Sequence, residues 1–271
     1  IDTDSDLHLW ADTYDRRMEN IFQIQTDVAT RIAEALDAQI SRSEKRSMAT
    51  VPTQNVEAYT LYLKGRTEYF NYTYEGFEKS IDYYRQALKL DPSYALAYSG
   101  MGDSYGQMFI DNQDELYSEL SIQSSEKALS INKDLAEGYK ARALISSYLG
   151  RISEAIDMNK RAIELGYFMA ESNLAFAYWW QGDLSKSLKH HLRGRQSDPY
   201  NLRVVYILAL AYQALEDYDE LHNLISDAME KHPDGFELHD ILITQYCIEG
   251  NWKKARATME RLLLLRSDDN H

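Results

Sequence analysis

Leu174-Ala-Phe-Ala-Tyr178, followed by Gly182 and closed by Asp198-Pro199, is the stretch whose reading decides the fold. It returns as Leu208-Ala-Leu-Ala-Tyr212 with Pro233 at its end, and in outline as Ile243-x-x-Tyr246 with Gly250 and Trp252. Pro199 and Pro233 stand 34 residues apart, as do Tyr178, Tyr212 and Tyr246 in succession. A fixed period of that length with helical spacing between the marks denotes stacked helix-turn-helix units. No single unit can bury its apolar face alone, so neighbours stack into a solenoid whose concave side is a binding surface.

The residue types at the recurring positions follow from packing. Alanine or glycine in the first helix of each unit lets the second approach closely, and the tyrosine one turn later fills the space between them. Glycine at the turn supplies the left-handed conformation that closes the first helix. Proline ends the second helix and sets the entry of the next. Working back along the chain, Ala143, Gly150, Ala155 and Ala162 mark an earlier unit. Two looser ones carry Tyr98, Gly102, Tyr105 and Ala128, and Tyr62, Gly65, Ile81, Ala87 and Asp91-Pro92. The spacing predicts units over 56–92, 93–133, 134–167, 168–199, 200–233 and 234–267. The second is longer than the rest, and its surplus is expected in the polar run Ile110-Asp-Asn-Gln-Asp-Glu115, between its helices. Glu216 in place of a turn glycine, Gly194 inside a helix and Lys133 in place of a closing proline depart from the pattern.

These residues resemble the tetratricopeptide repeat family over roughly Asn55 to Ser267. The resemblance implies an all-α fold: a right-handed superhelical solenoid of about six helix-turn-helix repeats. One helix and a short remnant of an α/β domain are expected ahead of it. Ile24, Val28, Ile32, Leu36 and Ile40 form the apolar stripe of that preceding helix, and Leu7-His-Leu-Trp10 alternates like a strand. The remnant is expected over 1–46, with a linker over 47–55.

Leu9-Trp-Ala-Asp-Thr-Tyr-Asp-Arg16, Ile21-Phe-Gln-Ile-Gln25 and Ile32-Ala-x-Ala-Leu36 resemble the tail of the TolB-like α/β domain that precedes such arrays in bacterial signalling proteins. Glu57-Ala-Tyr-x-Leu-Tyr-Leu-Lys-Gly65 is similar to the first repeat of that architecture. In such proteins the upstream part is often a class III adenylate or guanylate cyclase, in others a winged-helix regulator or a protein kinase. The chain begins at Ile1 and reads as part of a longer protein, its array forming the C-terminal part.

Composition narrows the partner classes. Across 271 residues, 43 acidic side chains against 29 basic ones leave a formal charge of −14, which repels phosphate backbones and anionic membrane surfaces. A protein or peptide segment is the expected partner, with a homo-oligomer as a further reading; nucleic acid and membrane contact are not expected. One cysteine, Cys247, fits a reducing, cytoplasmic setting. The longest apolar stretch, Val204 to Tyr212, is too short to span a bilayer.

The sequence carries no phosphate-cradling glycine loop, no His-Glu-x-x-His pair and no paired cysteines, so no cofactor, metal or catalytic residue is assigned. His190 and His191 are adjacent and point about 100° apart on a helix. They, His222 and His232 read as solvated or capping side chains. The stretch reads as non-catalytic, and any nucleotidyl cyclase chemistry would belong to a parent protein.

In the tetratricopeptide family the first helix of each unit lines the groove. Helical spacing from the packing alanines and glycines projects Tyr62, Arg66 and Tyr69, then Asp103 and Gln107, then Lys140, Leu144 and Tyr148 onto that side. Phe176, Trp179, Trp180, Tyr206, Leu210 and Gln213 continue the line, and Phe176, Trp179 and Tyr206 are the expected hot spot. The lysine–asparagine pair with which some family members clamp a carboxylate is not matched by Tyr62 and Arg66, Ser99 and Asp103, Lys140 and Leu144, or Ser172 and Phe176.

Overall fold

The computed structural model describes residues 52–197 and 202–268, together with Val28 and residues 30–32. Val28, Thr30, Arg31 and Ile32 are helical. The rest of the expected N-terminal helix and strand, and the closing Pro199, lie outside the described residues. Every regular element among the described residues is a helix, and the fold is that of a tetratricopeptide-type helical solenoid.

Twelve helices follow one another between residues 56 and 268: α1 Val56–Tyr69, α2 Tyr74–Leu90, α3 Ala95–Asn112, α4 Glu115–Ile131, α5 Ala136–Tyr148 and α6 Ile152–Glu164. Then come α7 Ala170–Gln181, α8 Leu184–Ser197, α9 Leu202–Ala214, α10 Tyr218–Lys231, α11 Phe236–Ile248 and α12 Trp252–Asp268. They divide into two compact units. One holds α1 to α4 and α5 as far as Ile145; the other holds the end of α5, α6 up to Ile163, and the chain from Tyr167 onward.

Local chemistry starts and stops these helices. Asn55 caps α1 by accepting from the Ala58 N–H at 2.9 Å, and Thr73 caps α2 by accepting from Gly76 N–H at 3.1 Å. Residues 52–55, read as the end of a linker, are tied to the first helix pair. The buried Thr53 hydroxyl donates to Asp91 Oδ2 at 2.6 Å. Burial would raise the Asp91 carboxyl, but bonds from the Thr53 and Ser93 hydroxyls and the Ser93 N–H outweigh it and hold it below its usual value. Gly182 closes α7 at φ +84°, its N–H donating to Trp179 O, and Gly150 and Gly250 take the same left-handed conformation. Glu216 takes it too, at φ +59°, in place of the glycine.

In the first unit the core is aromatic. The ring of Tyr84, fully buried on α2, lies 5.8 Å from Tyr62 of α1, and Tyr62 lies 5.3 Å from Tyr94, which begins α3. Gly65 and Gly100 face the Tyr84 ring from α1 and α3. A Cβ at Gly65 would stand 2.5 Å from Tyr84 Cε1, and one at Gly100 2.6 Å from Cζ. Tyr69, Phe77, Ile81, Tyr105 and Met108 form a second cluster at the other end of the same helices. In the second unit Ala155, Ile156, Leu174, Ala177 and Tyr178 pack together, and a larger cluster joins Leu208, Ala209 and Tyr212 to Leu221, Ile225 and Ile241. Gly194 has a packing reason as well, since a Cβ there would stand 2.7 Å from Ser172 Oγ.

The surplus of the second helix pair corrects the sequence reading. No polar loop interrupts it. α3 runs 18 residues and α4 17, joined through Gln113 and Asp114 alone. Gln113 takes a left-handed conformation at φ +60° and Asp114 caps α4 by accepting from Leu116 N–H. Ile110 to Glu115 look loop-like because 111–115 are exposed, yet Asp111 and Asn112 finish the helix whose inner side buries Met108 and Phe109.

Two stability measurements test this packing. Gly100→Ala will lower the urea unfolding free energy by about 1 to 2 kcal/mol, overpacking against Tyr84 exceeding the gain in helix propensity. Glu216→Gly will raise it by about 0.5 to 1 kcal/mol, relief of the left-handed strain exceeding the entropy added to the unfolded chain. A Gly100→Ala protein as stable as the parent would show that the Tyr84 ring yields freely.

Candidate functional site

The first helices of the repeats present different surfaces in the two units. In the first unit the candidate residues are turned largely on one another. Asp103 of α3 and Lys140 of α5 form an ion pair at 2.8 Å, their side chains 3% and 13% exposed. Lys140 Nζ also lies 5.6 Å from the centre of the buried Tyr69 ring, and Gln107 Nε2 donates to Tyr69 Oη at 3.5 Å. The Arg66 guanidinium stands 4.6 Å from the Phe70 ring centre and 5.7 Å from that of Tyr69. Leu144 packs where a side chain at Gly106 would go. Tyr62 belongs to the Tyr84–Tyr94 core rather than to an open face.

Burial has electrostatic effects here. It pushes the Tyr69 phenol up, partly offset by the Lys140 ammonium. It also pushes the Glu137 carboxyl up, against the opposing pull of Arg66 and Lys140. Groups of both signs thus stand together on α1, α3 and α5: Arg66, Asp103, Glu137 and Lys140.

The second unit leaves an aromatic run open. Tyr148 at the end of α5 meets Trp180 of α7 edge-on at 5.2 Å, and Phe176 lies 6.4 Å from Trp180. Tyr148 is 40% exposed and Trp180 43%. Beneath them Phe176 meets the ring of His191 edge-on at 5.3 Å. These contacts therefore group Phe176 with Trp180 and Tyr148. Trp179 is half-buried on α7, and Tyr206 is half-buried against the Leu208–Leu221 cluster; Leu210 is half-buried as well. Gln213 Nε2 donates to Gln245 Oε1 at 3.1 Å, and Gln245 donates in turn to Glu249 Oε1 at 2.8 Å.

His222 completes that chain by donating from Nε2 to Glu249 Oε1 at 2.7 Å. Burial would raise the Glu249 carboxyl, but the bonds from Gln245 and His222 outweigh it and bring it below its usual value. Sequence reading missed Gln245. Its signal was a polar residue in register with Leu238, Ile241 and Leu242 on the buried side of α11.

The histidines depart from the sequence reading. His191 is fully buried, and neither ring nitrogen has a hydrogen-bond partner among the described residues. His190 Nδ1 donates to Glu171 Oε2 at 2.6 Å while its ring stacks on Tyr178. His222 stacks on Tyr246, and Lys254 approaches the Tyr246 ring as Lys186 approaches that of Tyr178. No group of three or more metal-binding side chains occurs among the described residues. Exposed rings over a buried base suit apolar contact, stacking and hydrogen bonding to an indole or phenol.

Comparisons with known proteins identify the class first. Residues 76–108 match the family model described as TPR repeat. The solved structure of Pseudomonas aeruginosa pilF matches with a TM-score of 0.61 at 14% identity, over 77% of this chain and 91% of that one. PilW, titled a widely conserved type IV pilus biogenesis factor, matches at 0.64 and 16% identity, over 77% and 93%. A thermophilic TPR protein of Thermus thermophilus matches at 0.52 and 20%, over 73% and 100%. At these identities the likeness is one of fold, that of a tetratricopeptide scaffold.

A curated relative is more particular. "Putative adenylate cyclase 3" of Rhizobium meliloti (strain 1021) is 26% identical over 160 residues, 57% of this chain. The match spans 27% of that protein's length.

Burial makes His191 an acid-sensitive point of the second unit. Desolvation pushes its pKa down to about 4, helped by the neighbouring His190. The unfolded chain takes up this proton near pH 6.5 and the folded chain only near 4, so stability rises with pH across that window. Its full contribution is present above about 6.5 and is lost as pH falls, by on the order of 3 kcal/mol at about pH 4. Urea midpoints of the parent and His191→Leu, followed between about pH 7 and 4, will shift in the variant's favour on acidification. A constant difference would show that the folded protein takes up the proton as readily as the unfolded one.

Proposed function

We propose that this chain is a non-catalytic interaction module that binds a protein segment along the first helices of its repeats. The observation carrying this reading is the exposed Tyr148–Trp180 pair, backed by Phe176. Large rings held at fixed angles and half open to solvent supply much contact area at little cost in side-chain entropy. In the first unit the Asp103–Lys140 pair and the aromatic core use most of the corresponding positions internally. Within the second unit Tyr148, Phe176 and Trp180 would anchor the segment; Arg66 and Gln107 are the candidate contacts of the first unit taken by itself. Trp179, Tyr206, Leu210 and Gln213 would extend the contact along α7 and α9.

The repeats would run over 56–92, 93–133, 134–167, 168–199, 200–233 and 234–267, and the module would be the C-terminal part of a cytoplasmic bacterial signalling protein. A second reading is favoured by the match to the Rhizobium meliloti protein: the regulatory or oligomerisation region of a class III adenylate or guanylate cyclase, its catalytic domain upstream. The resemblance of the first forty residues to the TolB-like tail supports the same setting.

Peptides selected by phage display on the purified chain test the first reading. Their affinity by calorimetry will fall at least about tenfold in Tyr148→Ala/Trp180→Ala, equivalent to about 1.4 kcal/mol or more. The same change at Leu116, an exposed residue elsewhere, will leave it unaltered. Undiminished affinity in the folded double variant would reject the aromatic run as the site.

A further inference from the structure

The last helix, α12, carries a large apolar stripe that its own unit does not cover. Trp252 is 69% exposed, Met259 48% and Leu263 60%. With Arg256 these residues fall within about 60° of one another around the helix and extend over about 17 Å of its length. The buried side is separate and consists of Ala255 and Leu262. Two of the basic residues are directed into the unit itself, Lys254 toward the Tyr246 ring at 5.2 Å and Arg261 toward Pro233 O at 3.4 Å. Arg256 and Glu260, both exposed, remain on or beside the stripe.

We infer that this stripe is a self-association surface, on which α12 of a second copy packs antiparallel to the first. The order of residues along it is self-complementary in that direction and not in the other. With the two-fold axis passing near residue 258, Trp252 faces Leu263 of the other copy, Met259 lies along its Arg256 stem, and Arg256 reaches its Glu260. Each contact is made twice, as a two-fold interface requires. In the parallel arrangement Arg256 would meet its own copy, and like charges would oppose pairing. The net charge of −14 opposes approach of two copies at long range, so the apolar rings and the reciprocal ion pairs must supply the attraction locally. One helix pair of this length buries less than the roughly 800 Å² per partner of a standard interface, so the dimer is weak and concentration-dependent. This surface is distinct from the Tyr148–Trp180 run and does not depend on the peptide-binding reading.

Sedimentation equilibrium of this chain, from low micromolar to near-millimolar concentration, decides the matter. The average mass will rise from that of a monomer toward that of a dimer. Trp252→Ser/Leu263→Glu will remain monomeric throughout, with helical circular dichroism and the unfolding midpoint unchanged because both side chains are exposed. Arg256→Glu and Glu260→Arg will each weaken the dimer at least about fivefold, and the double exchange Arg256→Glu/Glu260→Arg will restore it. A parent chain that stays monomeric overturns the inference and leaves the stripe to a different protein or to another segment of the same polypeptide. A dimer that persists in Trp252→Ser/Leu263→Glu places the interface elsewhere and overturns it equally. Failure of the double exchange to restore association overturns the antiparallel register. Peptide affinity at the aromatic run is unaffected in every one of these variants.

Discussion

The ring of Tyr84, held between Gly65 and Gly100, is the contact on which the first unit depends. It belongs to the second helix of one pair and touches the first helix of its own pair and of the next. That geometry needs two helices without a Cβ at the point of approach, and both are supplied. Because the ring spans three helices, its burial links the first helix pair to the helix that follows it, as stacking of neighbouring repeats requires. In the second unit the small buried residues include Ala175 and Ala209, each followed a turn later on the same helix by a buried tyrosine, Tyr178 and Tyr212. The same requirement is thus met with different side chains.

This packing rule decides which surface remains open. In the first unit the inner positions of α1, α3 and α5 hold both signs of charge, and burial joins Asp103 to Lys140. Such a pair fixes the spacing of neighbouring helices and contributes little free attraction for a ligand, since its charges already satisfy each other. In the second unit the equivalent positions carry rings. Their lower surface rests on Phe176 and His191 while the upper surface of Trp180 and Tyr148 stays open. The second unit therefore leaves an aromatic face open to solvent, and the first has a largely self-satisfied polar ladder.

Much of this was legible in the chain. The 34-residue interval of Tyr178, Tyr212 and Tyr246 reports helix-turn-helix stacking, because the interval is set by helix length and turn chemistry, both local. Gly150, Gly182 and Gly250 identified three left-handed turns for the same reason. The polar run around Asn112 misled, since exposed side chains look alike at a helix end and in a loop; only the burial of Met108 and Phe109 shows the helix continuing. His191 misled similarly, as a polar residue whose burial depends on what α7 sets against it. Among the candidate residues, helical spacing projected Tyr62 and Tyr69 onto the groove side of α1, and it could not tell that both are buried in aromatic clusters with neighbouring helices.

What the sequence by itself determined is the repeat: its length, its helix-turn-helix unit, the small residues at close approach and the scaffold class. These follow from interactions within one period, where side-chain size and backbone preference act on near neighbours. Tertiary structure alone decided which inner residues are consumed in packing and which stay open. Lys140 lies 37 residues from Asp103, and Trp180 lies 32 from Tyr148, so each partnership exists only once successive helices are stacked. Exposure is a property of the assembled helices, and no periodicity within one of them can report it.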